Sequence, residues 1–140
     1  MQEIKLQASD ETLYTVLDTL ERELDKNQCP EILKSVMLIA VEEVFVNIAH
    51  YAYGGNEGEA IINLDVIPNP KSCTITFRDK GIPYNPLEKD DPDITLSAEE
   101  RQIGGLGIYM VKQSMDRVEY KYEDGCNVLT IEKRLDMEED

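Results

Sequence analysis

Glu43 and Asn47 stand four residues apart in the run Glu-Glu-Val-Phe-Val-Asn, a spacing that puts a carboxylate and an amide on one face of a helix. At about 100° per residue, Asn47 falls inside the apolar arc of Leu33, Met37, Ala40, Val44 and Ile48, while Glu43 lies at its margin. An amide buried without partners costs about 1–3 kcal/mol, so something must bond to it. Its carbonyl oxygen is a hard, neutral ligand that suits Mg²⁺, an ion that takes its other oxygens from water and phosphate. Glu43, one turn earlier, can accept a proton from a hydroxyl or water attacking a phosphate. The same spacing also fits a surface glutamate and an asparagine bonded to a neighbouring loop. Glu42 belongs to the solvent side.

Two further segments carry polar chemistry. Asp79-Lys80-Gly81-Ile82-Pro83 follows a strand pattern directly. A carboxylate there accepts hydrogen bonds only and can select an exocyclic amino group such as that of adenine, and Gly81, without a Cβ, lets backbone and base approach closely. An ordinary Asp-x-Gly turn reads the same way. Gly104-Gly105-Leu106-Gly107 opens a helical pattern, where free backbone N–H groups and the positive dipole end suit phosphate. A flexible hinge before a helix is the alternative. No glycine occupies Met110, as a dinucleotide fingerprint would need, and no Gly-Lys-Ser/Thr of a P-loop occurs.

These segments need elements to hold them. Alternation at Ile4 and Leu6 predicts a short strand, after which Ser9 or Asp10 is placed to cap a helix running through Leu13, Val16, Leu17, Leu20 and Leu24 to Asn27. Pro30 suits a first helical turn, and 32–49 is the most strongly patterned helix, stopped by Tyr53-Gly54-Gly55-Asn56. Strands are predicted over 60–67 and 72–78, with Cys73, Ile75 and Phe77 on one face. No period is legible over 81–103, a length typical of a lid or binding loop. Ile108, Val111, Lys112 and Met115 give another helix, and 118–122 with 127–135 a hairpin around Glu123-Asp124-Gly125, before an acidic tail at 136–140. The sum is an α+β fold, a two-layer sandwich with helices on one face of a mostly antiparallel sheet.

Composition narrows the function classes. The 140 residues are 41% apolar and 31% charged, enough to bury roughly 70% of the unfolded surface in one domain. Three scattered cysteines and one histidine offer neither a disulfide framework nor a metal-ligand pattern. The net charge of −15 opposes binding to nucleic acid or anionic lipid and suits a basic protein partner. With no signal-peptide order at Met1-Gln2-Glu3-Ile4-Lys5 and no long apolar run, a cytoplasmic location is expected.

In order, the three segments resemble the boxes of the GHKL ATPases, with Glu43 and Asn47 matching the N box, Asp79 and Gly81 the first glycine box, and Gly105 and Gly107 the second. Within that superfamily the wording Glu-Glu-Val-Phe-Val-Asn-Ile-Ala-His-Tyr-Ala-Tyr, Asp-Lys-Gly-Ile-Pro-Tyr-Asn-Pro and Gly-Gly-Leu-Gly-Ile-Tyr-Met-Val-Lys-Gln-Ser-Met-Asp is similar to the anti-sigma-factor serine/threonine kinases. The resemblance implies a Bergerat-type ATP-binding fold over 1–135 with an ATP lid at about 84–103. It implies a Mg²⁺-ATP-dependent kinase that sequesters a sigma factor, phosphorylates a serine on an anti-anti-sigma (STAS-type) partner, and forms a homodimer. A non-catalytic ATP/ADP-binding regulator whose nucleotide state sets partner choice is the alternative.

Carried across, Glu43 is the general base, Asn47 the Mg²⁺ ligand and Asp79 the adenine reader, with Gly81, Gly104, Gly105, Leu106 and Gly107 around the nucleotide. Thr130 matches a last-strand threonine that assists at the adenine, and Arg101 resembles a lid arginine that steadies the γ-phosphate. The pattern departs in one place: Tyr51-Ala52-Tyr53 stands where many members have His-Ala-Tyr, and His50 lies one residue earlier. A histidine-kinase role is not expected, since the one histidine in the sequence, His50, sits in the helix of the N box.

Overall fold

The computed structural model describes residues 2–54, 56, 58–68, 71–88 and 106–136, Leu106 by its backbone alone. Within them, β1 (Gln2–Gln7), β2 (Glu59–Pro68), β3 (Lys71–Asp79), β4 (Arg117–Glu123) and β5 (Cys126–Arg134) form one antiparallel sheet in the order β1-β2-β3-β5-β4. The helices α1 (Leu13–Lys26), α2 (Glu31–Asn47) and α3 (Leu106–Ser114) cover one of its faces, so the expected α+β architecture is the one observed.

Side-chain alternation decides which residues reach the covered face. Ile62 pairs with Phe77, Leu64 with Ile75, Ile75 with Ile131 and Phe77 with Leu129, and all of these are buried. Against them pack Val16, Leu20 and Leu24 from α1, Met37, Val41, Val44 and Phe45 from α2, and Val111 from α3. On the other face, Thr74, Thr76 and Thr130 are half-buried. One step further along the covered parity stand Asp79 on β3 and, paired with it, Asn127 on β5, both buried at the sheet end nearest α2 and α3. The alternation that builds the core therefore also delivers two polar side chains beneath the helices.

Local chemistry accounts for the element ends. Ser9 and Thr12 close a turn on each other, Ser9 Oγ accepting the Thr12 N–H at 3.3 Å and Thr12 Oγ1 accepting the Ser9 N–H at 3.2 Å. This corrects the expected cap at Ser9 or Asp10: the polar turn comes first, and α1 begins at Leu13. The long second helix is α-helical only to Asn47 and continues as a π-helical turn, Ile48–Ala52. In the β4–β5 hairpin, Asp124 (φ 53°) and Gly125 (φ 77°) form the two-residue, left-handed link that strand twist favours. Among the described residues no helix is long and apolar enough to cross a membrane. Residues 137–140 of the acidic tail and 89–103 of the expected lid lie outside those described, while Pro86–Glu88 forms a short 3₁₀ turn.

Phe45 of α2 is fully buried in the core. Its truncation in Phe45→Ala is expected to lower the unfolding free energy by about 3–5 kcal/mol, read as a shift in the urea midpoint of the far-ultraviolet circular dichroism.

Candidate functional site

A cavity of about 350 Å³ opens between α2, the π-helical turn, the sheet end and the start of α3. Its floor is apolar, made by Val44, Ile48, Phe77, Ile108 and Leu129, and its mouth is walled by Tyr51, Ile82, Pro83 and Tyr84. Asn47, Asp79 and Asn127 enter it, and Tyr120 lines it beside Asn127. A mostly apolar cavity with a few placed polar groups is the usual form of a site for a flat organic ligand such as a nucleobase.

Asp79 is 6% exposed. Its Oδ1 accepts the Gly81 N–H and one Asn127 Nδ2 hydrogen, both at 2.9 Å. Gly81 serves a tighter purpose than the sequence suggests. A Cβ there would lie 2.1 Å from the Ala52 carbonyl oxygen, and that carbonyl accepts the Ile82 N–H at 2.8 Å. The close approach that demands glycine is between the Asp-x-Gly turn and the end of the π-helical turn.

Tyr53 reinforces that contact. Its hydroxyl donates to the Glu59 carbonyl at 2.5 Å and accepts the Lys80 N–H at 2.9 Å. Burial raises its phenol pKa, so it remains protonated and able to do both. Gly58 leaves room for the ring, since a Cβ at that position would fall 2.3 Å from it. The Tyr51-Ala52-Tyr53 run is thus divided, with Tyr51 at the cavity, Ala52 against Gly81 and Tyr53 tying β2 to the Asp79 loop.

Glu43 and Asn47 project from α2 on the side facing α3, both half-buried. Neither side chain bonds to another described residue. Glu43 lies against the first turn of α3: a Cβ added to Gly107 would sit 2.1 Å from Glu43 Oε2. The structure places Asn47 and Asp79 in the cavity lining, Gly81 against Ala52 of that lining, and Glu43 against Gly107 in the first turn of α3, next to Ile108 of the lining; Leu106 opens α3. Arg101, Gly104 and Gly105 lie outside the described residues. His50 is exposed and lies 2.8 Å from Asp10, outside the cavity lining.

Thr130 corrects the sequence expectation. It pairs with Thr76, one residue out of parity with Leu129, and so faces the side of the sheet that the helices leave open. The β5 residue beside Asp79 is Asn127, which sequence reasoning missed. Its Nδ2 also donates to the Ile82 carbonyl at 3.0 Å, and its Oδ1 accepts the Tyr84 N–H at 3.1 Å and the Tyr120 hydroxyl at 2.5 Å. Burial raises the Tyr120 phenol pKa as well, keeping it a donor. The signal that could have found Asn127 is the hairpin itself, which starts β5 opposite the last residue of β3.

Among the described residues no group of three or more His, Cys, Asp or Glu side chains could hold a metal ion. The oxygen donor that fits a weakly held Mg²⁺ is the Asn47 amide, which enters the cavity without a described protein partner.

The family profile described as histidine kinase-like ATPase domain matches residues 6–133. The chain is 25% identical over 99 residues to the serine/threonine-protein kinase BtrW of Bordetella bronchiseptica, covering 71% of this chain and 69% of that protein. It is 30% identical over 95 residues to the serine-protein kinase RsbW of Bacillus thuringiensis, covering 66% of this chain and 59% of the relative. RsbW of Bacillus anthracis matches at the same identity and extent.

Gly81→Ala would force the Ala52 carbonyl away from the turn and is expected to lower stability by about 1–3 kcal/mol. Urea unfolding measures this, and an unchanged midpoint would contradict the contact.

Proposed function

We propose that this chain, which belongs to the histidine kinase-like ATPase domain family, binds Mg²⁺-ATP in the cavity between α2 and α3 and transfers its γ-phosphoryl group to a protein serine. The partners in this reading are an anti-anti-sigma (STAS-type) protein carrying that serine and a sigma factor that the chain sequesters, working as a cytoplasmic homodimer. The observation that carries the reading is the entry of Asn47 and Asp79 into one cavity, with the Glu43 carboxylate against Gly107, the neighbour of Ile108 in the cavity lining. The names of the relatives, all protein kinases acting on serine or serine/threonine, support the choice of chemistry.

In this reading each group has one task. Asp79 accepts a hydrogen bond from the adenine amino group, and the apolar floor takes the ring faces. Asn47 offers its carbonyl oxygen to Mg²⁺, which when bound neutralises charge on the phosphates. Leu106 and Gly107 place backbone N–H groups and the positive end of α3 toward the phosphates. Gly107, lacking a side chain, lets the Glu43 carboxylate stand at that end, where it takes the proton of the attacking serine hydroxyl. Arg101, Gly104 and Gly105, outside the described residues, are assigned to the phosphates by the resemblance alone.

Transfer of label from γ-labelled ATP to a purified STAS-type protein with an acceptor serine tests the proposal. Asn47→Ala is expected to abolish Mg²⁺-dependent ATP binding in a calorimetric titration, and an unchanged isotherm would sink the assignment of the site. Glu43→Gln should still bind ATP while transfer falls about 10²- to 10⁴-fold. Undiminished transfer would leave Glu43 without its role. Gly107→Ala meets only the end of a flexible side chain. It should fold normally, displace the carboxylate, and reduce transfer more than binding.

A further inference from the structure

The Asn127 amide is saturated inside the protein. Its two N–H groups go to Asp79 Oδ1 and the Ile82 carbonyl, and its oxygen takes the Tyr84 N–H and the Tyr120 hydroxyl. These partners fix its orientation, because turning the amide over would set its oxygen against the Asp79 and Ile82 acceptors and an N–H group against the Tyr84 N–H. Asn127 has no group left for a ligand and acts only through its neighbours. One of those neighbours is Asp79, whose Oδ1 is filled by Gly81 and Asn127, while Oδ2 bonds to no described residue.

We propose that Asn127 is the positioning residue that sets base specificity: by occupying Asp79 Oδ1 it locks the carboxylate plane and leaves Oδ2 as the one acceptor offered to a base. The inference rests on the reading that the cavity holds ATP. A 6-aminopurine presents an N–H₂ donor to that oxygen. A 6-oxopurine presents a carbonyl, which leaves two acceptors face to face and the carboxylate unpaired. The discrimination depends on the carboxylate being held still. A side chain free to turn about its terminal torsion could withdraw from a carbonyl and bond to water, and the penalty against the 6-oxo base would shrink.

Asn127 carries a second constraint of the same kind. By holding the Ile82 carbonyl and the Tyr84 N–H it fixes the wall of the cavity mouth to the start of β5, beside the Asp79 that reads the base. Base position and wall position thus share one anchor, and Tyr120 on β4, itself part of the cavity lining, braces that anchor.

Dissociation constants for ATP and GTP, measured by calorimetry on the full chain, on Asn127→Ala and on Tyr120→Phe, test the inference, with circular dichroism confirming the fold of each. The wild type is expected to favour ATP. Asn127→Ala should narrow the ATP-over-GTP ratio about tenfold, chiefly through weaker ATP binding, and Tyr120→Phe should narrow it in the same direction by about threefold. ATP and GTP weakened by equal factors would overturn the specificity role and leave the nucleotide site standing. Where Asn127→Ala does not fold, Tyr120→Phe decides alone, and an unchanged ratio there overturns the inference. A wild-type chain that binds neither nucleotide would instead refute the reading of the cavity itself.

Discussion

The Ala52 carbonyl and the Gly81 backbone meet so closely that no side-chain carbon fits between them, and the same carbonyl holds the Ile82 N–H. On this contact the rest of the site depends. It fastens the far end of the longest helix to the far end of a central strand, and so fixes the distance between the element carrying Asn47 and the element carrying Asp79. The π-helical turn Ile48–Ala52 is what lets the helix reach that point: its wider ring shifts the helical phase, bringing Ile48, Tyr51 and Ala52 together on the cavity side. Tyr53 and Gly58 then lock the chain leaving the turn onto β2.

The helices were readable because their apolar spacing is set by burial, the one force that acts on every residue of a helix face. Leu13, Val16, Leu20 and Leu24 appear in the sequence as they do in the core. Asn47 stands out in the sequence for the complementary reason, a polar residue where the period calls for an apolar one, with Glu43 at the margin of that arc. The start of α1 was misplaced because Ser9 and Thr12 satisfy each other before the helix begins, and a sequence shows which side chains can cap but not which partner they choose.

Strand parity proved harder. In Asn127-Val128-Leu129-Thr130-Ile131, Val128 and Leu129 are both apolar and both buried, so hydropathy does not say which face each takes. Thr130 was placed at the adenine on resemblance, and only the pairing of Thr76 with Thr130 and of Asp79 with Asn127 resolves the faces. Gly81 presents a similar case: its small size was legible, whereas the carbonyl it accommodates belongs to a residue 29 positions earlier, Ala52, and no local pattern links the two.

Two asparagines enter one cavity, and their hydrogen bonds separate their tasks. Asn127 is buried with all of its donors and acceptor engaged by the protein, so removing it disturbs four partners and offers nothing directly to a ligand. Asn47 is half-buried with no described partner, a state that costs free energy in the folded protein unless a ligand or water completes it. Residue type alone would have given both the same role. Saturation makes the first a scaffold for Asp79, and its absence leaves the second as the amide available to what enters the cavity.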